Sequence, residues 1–518
     1  MESEPEPLGP PAPSPAPPVP SRERRQHPTA ILFDLLKSVR GFLLPGLAVL
    51  FFARGDSREV WLMLLFVPVT LVQLVRYWTL RYEVRGSELV LREGLLNKNV
   101  RNIPLERVQD IDTKQGPLHR VFGVASVRLR TATDGAPELE LSSLPERAIQ
   151  ELRAALVSAR RGRAVAEAVE TAERVEEELP PGMHAVRSVR QRLHLAPHAL
   201  VKLALIRNRG LLAFGALFAF LGQYGLLDAL DETPVFAWLD RLPEPTGSLA
   251  KLGMFLASAV GAILFSPILS IPWTLLRYGD FTLSLVGDDL RIEKGWWTRT
   301  SMTIPRARVQ RVSVVESPLQ RMFGVVSLHA VNAGRAGEEG GEAGTAELVP
   351  ILDRDLATPF LRSFLPDFEA GADWSAPHPD TRTRLRRLAW IRAIVLGVAL
   401  GFFVGWTAIP VALVYGVFSD WRARRASAWL AWSHSTERVA AREGAFVRRT
   451  IVAPLGKLQT IVRRDSPFDR RWGMQHLSLD TAGGSGVRGL ELNYLSRADC
   501  QVLASELTEA VDASRFRW

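Results

Sequence analysis

Residues 94–123 read GLLNKNVRNIPLERVQDIDTKQGPLHRVFG, and the skeleton of this stretch returns twice further along the chain. Written as a pattern it is G-x9-P-x2-[RK]-[VL]-Q-x7-P-x2-R-x-[FW]-G. The first copy places Gly94, Pro104, Arg107, Val108, Gln109, Pro117, Arg120, Phe122 and Gly123. The second places Gly295, Pro305, Arg308, Val309, Gln310, Pro318, Arg321, Phe323 and Gly324. The third places Gly444, Pro454, Lys457, Leu458, Gln459, Pro467, Arg470, Trp472 and Gly473. No gap is needed; the copies are offset by 201 and 350 residues. A spacing held this strictly marks one structural unit used three times.

Apolar sequence precedes each copy. The stretches are 41–53, 60–75, 211–227, 252–276 and 393–417. A membrane-spanning helix needs about 20 apolar residues. Lys37 and Arg40 can snorkel to the headgroups, so 35–53 serves as a first span and 60–77 as its return. The stretches 211–227 and 252–276 make a second hairpin. The loop between them carries Asp228, Asp231, Glu232, Asp240 and Glu244, whereas Arg207, Arg209 and Arg277 flank the other side. That asymmetry puts the small domains in the cytoplasm. The last stretch reads either as one tilted helix or as two short ones around 405–410. Arg382, Arg384, Arg386 and Arg387 precede it, and Arg422, Arg424 and Arg425 follow it. Basic flanks at both ends, together with the repeat, favour a tight hairpin or a re-entrant pair. Gly397, Gly401 and Gly405 recur every four residues, a spacing that lets helices approach closely. Residues 29–40 and 195–209 read as amphipathic segments lying at the headgroups.

Each copy of the motif sits in a strand-rich domain. In the first, 82–85 and 88–92 flank a Gly86-Ser87 hairpin turn, and 97–103, 108–113, 124–131 and 138–141 are further strands. Residues 117–122 form a helical turn, and 145–159 a closing helix capped by Ser142 or Ser143. The Gly-rich loops at 134–136, 334–345 and 483–486 are hairpin tips. They lack the Lys-Ser/Thr of a phosphate cradle. The domain plan is a Pro-rich disordered tail (1–26), an interfacial helix with hairpin 1 (27–78), and domain 1 (79–159). A charged linker helix (160–194) leads to an interfacial helix with hairpin 2 (195–277) and domain 2 (278–366). Hairpin 3 (382–420) and domain 3 (421–515) complete it.

Composition limits the function. The chain has 518 residues and is 47% hydrophobic yet 23% charged, which suits alternating membrane and aqueous parts. A net charge of +9 fits basic flanks against anionic lipid better than nucleic-acid binding. One cysteine, Cys500, excludes an intramolecular disulfide and a cysteine-rich metal site. His194 and His198 have Pro197 between them, which spoils a helical metal pair. Neither H-E-x-x-H nor G-x-S-x-G occurs. The expectation is a non-enzyme without a cofactor.

The motif V-Q-x-[IV] followed by P-L-x-R-x-F-G resembles bacterial pleckstrin-homology-like membrane proteins, the family known as domain of unknown function 304. The P-L-x-R-x-F-G form is complete at 117–123 and 318–324; the third copy substitutes Phe468 and Trp472. The resemblance spans about 28–515 and matches the family's long, three-copy form. It implies a mixed fold, in which polytopic α-helical membrane hairpins alternate with three small seven-strand, two-sheet PH-like barrels. Each barrel is capped by a C-terminal helix. It also implies action at the inner membrane in assemblies, as oligomers or beside a shorter relative, with membrane lipids and membrane or cytoplasmic proteins as partners. A role in envelope stress or resistance belongs to that implied setting, and a transport or export component is the alternative.

Within the motif, Gln109, Gln310 and Gln459 are candidates for equivalent contacts in an assembly. Arg120, Arg321 and Arg470 are candidates for a phosphate or headgroup, or for holding a loop. Pro117, Pro318 and Pro467, with Gly123, Gly324 and Gly473, are expected to set turn geometry. Phe122, Phe323 and Trp472 are expected to fill the core.

Overall fold

The computed structural model describes residues 24–25, 27–30, 33, 80–85, 88–93, 99–105, 108–131, 139–156, 189–208, 248–332, 345–371, 373–482 and 489–513. Hairpin 1, the first span of hairpin 2 and the three Gly-rich loops lie outside this set. Two compact units divide the chain. One comprises Met1–Gln109, His119–Val127 and Glu140–Pro180; the other comprises Asp110–Leu118, Arg128–Leu139 and Pro181–Trp518.

In the first unit, β1 (Arg24–Arg25), β2 (Arg81–Arg85), β3 (Glu88–Glu93) and β4 (Asn99–Pro104) form an antiparallel sheet in chain order. The strands follow from alternation: Leu89, Leu91 and Ile103 point inward and are fully buried. Arg24 and Arg25, expected in a disordered tail, instead pair with Tyr82 and Arg81. Strands β5 (Val108–Gln115), β6 (Val124–Thr131) and β7 (Leu139–Pro145) follow in the chain, with α1 (Pro117–Val121) between β5 and β6; residues 110–118 and 128–139 of this stretch belong to the second unit. The closing helix, α2, spans 146–156. Because β7 runs through Pro145, Ser142 and Ser143 are strand residues and do not cap α2.

The second unit shows the domain plan most clearly. Strand β8 (Val189–His194) precedes α3 (Pro197–Arg207) and the long helix α4 (Ser248–Tyr278). Then come β9 (Thr282–Val286), β10 (Asp289–Lys294), β11 (Arg299–Pro305) and β12 (Val309–Glu316). After α5 (Pro318–Met322) follow β13 (Val325–Asn332), β14 (Thr345–Asp353) and α6 (Arg354–Phe364). Strand β8 pairs with β9, so 189–194 is an added sheet strand where the sequence suggested a linker helix. Inward residues of both sheets, among them Leu283, Ile292, Ile304, Leu328 and Leu348, share one core with Phe360, Leu361 and Phe364 of α6. Helix α3 also departs from expectation. Its Leu200 and Leu203 belong to that same core, and Ser270 Oγ of α4 donates to Ala204 O (2.9 Å). The helix is therefore bound to protein along its apolar side and is not a free interfacial segment.

The third copy begins with α7 (Thr381–Val404) and α8 (Ala408–Trp429). The chain folds back at Gly405 (φ +64°), and the two helices pack antiparallel: a Cβ on Gly397 would sit 2.8 Å from Ala412 Cβ, and one on Gly416 2.7 Å from Trp390. Thr381–Trp429 is the one segment among the described residues long and apolar enough to cross a membrane. Its surface carries Phe402, Phe403 and Trp406, each about four-fifths exposed (85%, 86% and 79%). Such a band is stable only against lipid or another apolar surface. Then come β15 (Ala431–His434), β16 (Arg438–Glu443), β17 (Arg448–Pro454), β18 (Leu458–Arg464), α9 (Pro467–Arg471), β19 (Met474–Thr481), β20 (Leu490–Ser496) and α10 (Arg497–Ala513).

The copies are joined by backbone. Strand β12 of copy two pairs with β17 of copy three, from Val312↔Val452 to Glu316↔Arg448. The resulting six-stranded sheet runs β14-β13-β12-β17-β16-β15. Strand β5 pairs with β11 in the same way, through Thr113↔Ser301 to Gln115↔Arg299. The two junctions are equivalent residue for residue under the repeat offsets, since Gln115 corresponds to Glu316 and Arg299 to Arg448.

Candidate functional site

The P-x-x-R-x-[FW]-G segment folds as a single capped helical turn. Ser317 Oγ accepts from Gln320 N (3.2 Å), and Ser317 N donates to Gln320 Oε1 (2.7 Å). Ser466 and Asp469 repeat this box in the third copy. The box satisfies the orphan amides of a turn too short to persist alone. Pro318 and Pro467 stand at the first helical positions, where a missing N–H costs nothing. Gly123, Gly324 and Gly473 end the turns at φ +65°, +65° and +68°. The first copy has Gly116 at the cap position and lacks the serine.

The motif aromatics are not core residues. Phe122 is 44% exposed and Phe323 is 42% exposed. Phe122 lies edge-on to Phe33 (6.5 Å between centroids), and Arg387 of α7 sits over Trp472 at 4.8 Å. A one-turn helix has too little circumference to bury an aromatic beneath itself, so Phe122 and Trp472 meet the segments that precede their domains and Phe323 stays partly exposed.

The candidate binding residues have separated roles. Arg321 Nη1 donates to Phe446 O (2.7 Å) in the β16–β17 loop, tying copy two to copy three. Arg470 lies 3.8 Å from Asp465, and Arg120 is exposed. Gln310 is buried and donates to Arg308 O (3.2 Å). Gln459 is exposed, and the side chain of Gln109 lies outside the described set.

The junction of copies two and three gathers charge that the sequence did not single out. Glu316 at the end of β12 is 5% exposed and pairs with Arg354 (3.2 Å). Arg448, its register partner, stacks over Trp429 at the end of α8 (4.3 Å). Arg442 stacks over Trp374 (3.7 Å) and Trp429 (5.1 Å). Burial, and then Arg354, push the Arg442 guanidinium below its ordinary value. Burial, then Arg321, Arg354 and Arg425, do the same to Arg448 against the opposing pull of Glu316. Glu316 thus faces Arg354 and Arg448, with Arg321, Arg425 and Arg442 close by and the half-buried Trp374 and Trp429 rings beneath the guanidinium groups. Arginine stays charged under any physiological condition, so these guanidinium groups remain cationic at the seam.

Two buried ionic joints fasten helices to sheets. Arg207 of α3 donates to Tyr278 Oη (2.6 Å) and to Glu347 of β14, and Tyr278 Oη donates to Glu347 Oε2 (3.0 Å). Burial alone would raise the Glu347 carboxyl; Arg207, Lys294 and His329 outweigh it and hold it below the ordinary range. In copy three, Arg384 of α7 pairs with Asp469 of α9, whose other neighbour His476 lies 3.4 Å away. Burial raises Asp469, but Ser466, Arg384 and His476 together hold it low. Among the described residues, no group of three or more His, Cys, Asp or Glu is placed to hold a metal ion.

This repeated arrangement agrees with what the chain is similar to. A family model of the bacterial PH domain matches residues 34–171, 218–363 and 385–511. The UPF0699 transmembrane protein YdbT of Bacillus subtilis (strain 168) is 21% identical over 496 residues, covering 92% of this chain and 97% of that one. The UPF0699 transmembrane protein YdbS of the same organism is 36% identical over 89 residues, 17% of this chain and 56% of that one. No solved structure matches the chain. With three matches that cover most of its length, each spanning an apolar lead and the sheets behind it, the chain belongs to the bacterial PH domain family, as a three-copy membrane protein.

Proposed function

We propose that the chain is a non-enzymatic scaffold of the bacterial inner membrane. It would hold three PH-like domains in the cytoplasm on multi-pass helical hairpins, for protein partners or lipid headgroups. The observation that carries this reading is the six-stranded sheet running through copies two and three, which leaves no flexible tether between those two domains. A fixed pair of binding modules presents its surfaces at a set spacing, which suits a multivalent partner or a second module. The arginine–tryptophan seam supports an acidic or phosphate-bearing occupant close to the bilayer.

The shape of the third hairpin bears on topology. Its apolar stretch, 393–417, folds at Gly405, so each leg has about 12 apolar residues, or roughly 18 Å of helix. That is short of the roughly 30 Å hydrocarbon core, and Asp420, clamped by Arg386 (2.6 Å) and Arg424 (2.5 Å), sits just behind it. A re-entrant hairpin entering and leaving by the cytoplasmic face fits this geometry. A phosphatase reporter fused after Trp518 is therefore expected to be inactive, and a fluorescent cytoplasmic reporter at the same place active. The reverse pattern would make 393–417 a single crossing.

The scaffold reading is tested by purifying the intact protein in mild detergent and identifying what accompanies it by mass spectrometry. A stoichiometric membrane or cytoplasmic protein, such as a shorter relative, is the expected result. A preparation carrying only one enriched small molecule would replace this reading with transport.

A further inference from the structure

The two sheet junctions leave two strand edges open. Strand β18 is the third-copy equivalent of β5 and β12, and among the described residues no strand pairs with its outer edge. Strand β4 is the first-copy equivalent of β11 and β17, and its outer edge is likewise open among the described residues. Exposure reports the same vacancy. Ser313, Val314 and Val315 of β12, which face β17, are half-buried, whereas their equivalents Val462, Arg463 and Arg464 are exposed. Val100 on β4 is 55% exposed and Val462 on β18 is 37% exposed.

We propose that β18 of one chain pairs antiparallel with β4 of a second copy, continuing head to tail the junction that the chain makes twice within itself. The repeat offsets fix the register. Ser313↔Ile451 and Val314↔Thr450 of the internal junction translate to Val462↔Arg101 and Arg463↔Val100 between copies. The charge at the junction's end translates as well. Glu316 faces Arg448 in the internal junction; by the sequence offsets alone their equivalents are the acid Asp465 and the base Lys98, the latter outside the described residues. Each chain carries one edge of each kind, so a second copy supplies what the first lacks. The contact is heterologous, so it builds rings or rows rather than a two-fold dimer. It rests on strand register alone and stands whether or not the scaffold reading does.

The test uses the full-length protein in membranes, with the buried Cys500 changed to alanine. One tagged copy carries Val462→Cys and a differently tagged copy carries Arg101→Cys; a second pairing uses Arg463→Cys with Val100→Cys. Adjacent cross-strand pairs alternate between hydrogen-bonded and non-hydrogen-bonded types, so one of the two pairings has the closer geometry. A single chain with Ser313→Cys and Ile451→Cys, or Val314→Cys and Thr450→Cys, is the matched control for the internal junction. Mild oxidation is expected to link the two tags in at least one pairing, at least about tenfold above an out-of-register pairing of Val462→Cys with Ile103→Cys. The proposal is overturned if the control closes and no mixed link forms, in which case Arg463 and Arg464 are edge-protecting charges. It is equally overturned if a link forms only within one chain carrying both cysteines, or if a smaller protein takes the β18 edge instead.

Discussion

Gly444→Ala is expected to deplete the folded third domain, at a cost of roughly 3–5 kcal/mol from combined backbone strain and steric overlap. Gly444 has φ +101°, and an added Cβ would lie 1.9 Å from Val447 O. That neighbour is backbone, so relief requires opening the β16–β17 turn, where Glu443 pairs with Arg449. The same turn offers Phe446 O to Arg321 (2.7 Å) and stacks the Phe446 ring near Trp421 (5.1 Å) and Phe418 (5.8 Å). The damage therefore reaches the sheet junction and α8. Gly473→Ala is the internal comparison. Its φ is +68°, but a Cβ there meets nothing within 4 Å. Only the left-handed backbone penalty remains, about 1 kcal/mol. Yield of full-length protein and resistance to trypsin in detergent give the comparison. Equal losses for the two variants would defeat the steric account. Gly295, with φ +105° and a Cβ position 2.1 Å from Thr298 O, is expected to behave like Gly444.

Asp469→Asn is expected to destabilise the third domain by about 2–3 kcal/mol, since removing one partner of a buried pair strands the other charge. The figure sits low in the usual range because Arg384 keeps its place over the Tyr494 ring (5.0 Å). Asparagine can still accept from Ser466 N, so it isolates the charge; Asp469→Ala also removes the reciprocal half of the capping box and is expected to cost about 1 kcal/mol more. The pH dependence has a definite sign. Asp469 is held below the ordinary carboxylate range, so its ionised form stabilises the fold. That contribution is complete above about pH 4, the unfolded value, and is lost as pH falls through the lower folded value. The thermal midpoint of the native protein should fall on acidification through this window, and the Asn variant should lose less. An unchanged acid slope in the variant would show that Asp469 is not the group responsible.

Much of the fold was legible because repetition does what an alignment would do. Positions shared by three copies had to serve the unit, and the capped turn at Pro318 and Pro467 follows from local chemistry alone. The errors share a cause. Phe122, Phe323 and Trp472 read as core because they are apolar, yet a five-residue helix such as α5 cannot cover them. Arg24–Arg25 and 189–194 carry little apolar pattern, and they are strands only because β2 and β9 offer an edge. The junction between copies two and three is made of backbone hydrogen bonds, which leave no side-chain code. Of the arginines at that seam, Arg425 reads as membrane-flanking charge and Arg321 as a headgroup or loop-holding candidate, while Arg354, Arg442 and Arg448 carry no motif. Their convergence on Glu316 and Trp429 depends on a pairing that the sequence does not announce. Of Gly397, Gly401 and Gly405, only Gly397 lies against the neighbouring helix, and the close approach of Gly416 to Trp390 falls outside their four-residue spacing.

The shared sheet also sets a schedule for the ribosome. Strand β14 ends at Asp353, but β17, which covers the edge of β12, begins only at Arg448. At typical synthesis speeds of 5–20 residues per second, the nascent second domain waits roughly 5–20 s with that edge bare. The interval is filled by emergence of α7 and α8 and, on the membrane reading, their insertion. A delay in inserting that hairpin would lengthen the exposure of an open, aggregation-prone strand edge. On that reading, insertion of the hairpin and completion of the sheet shared by copies two and three are kinetically linked.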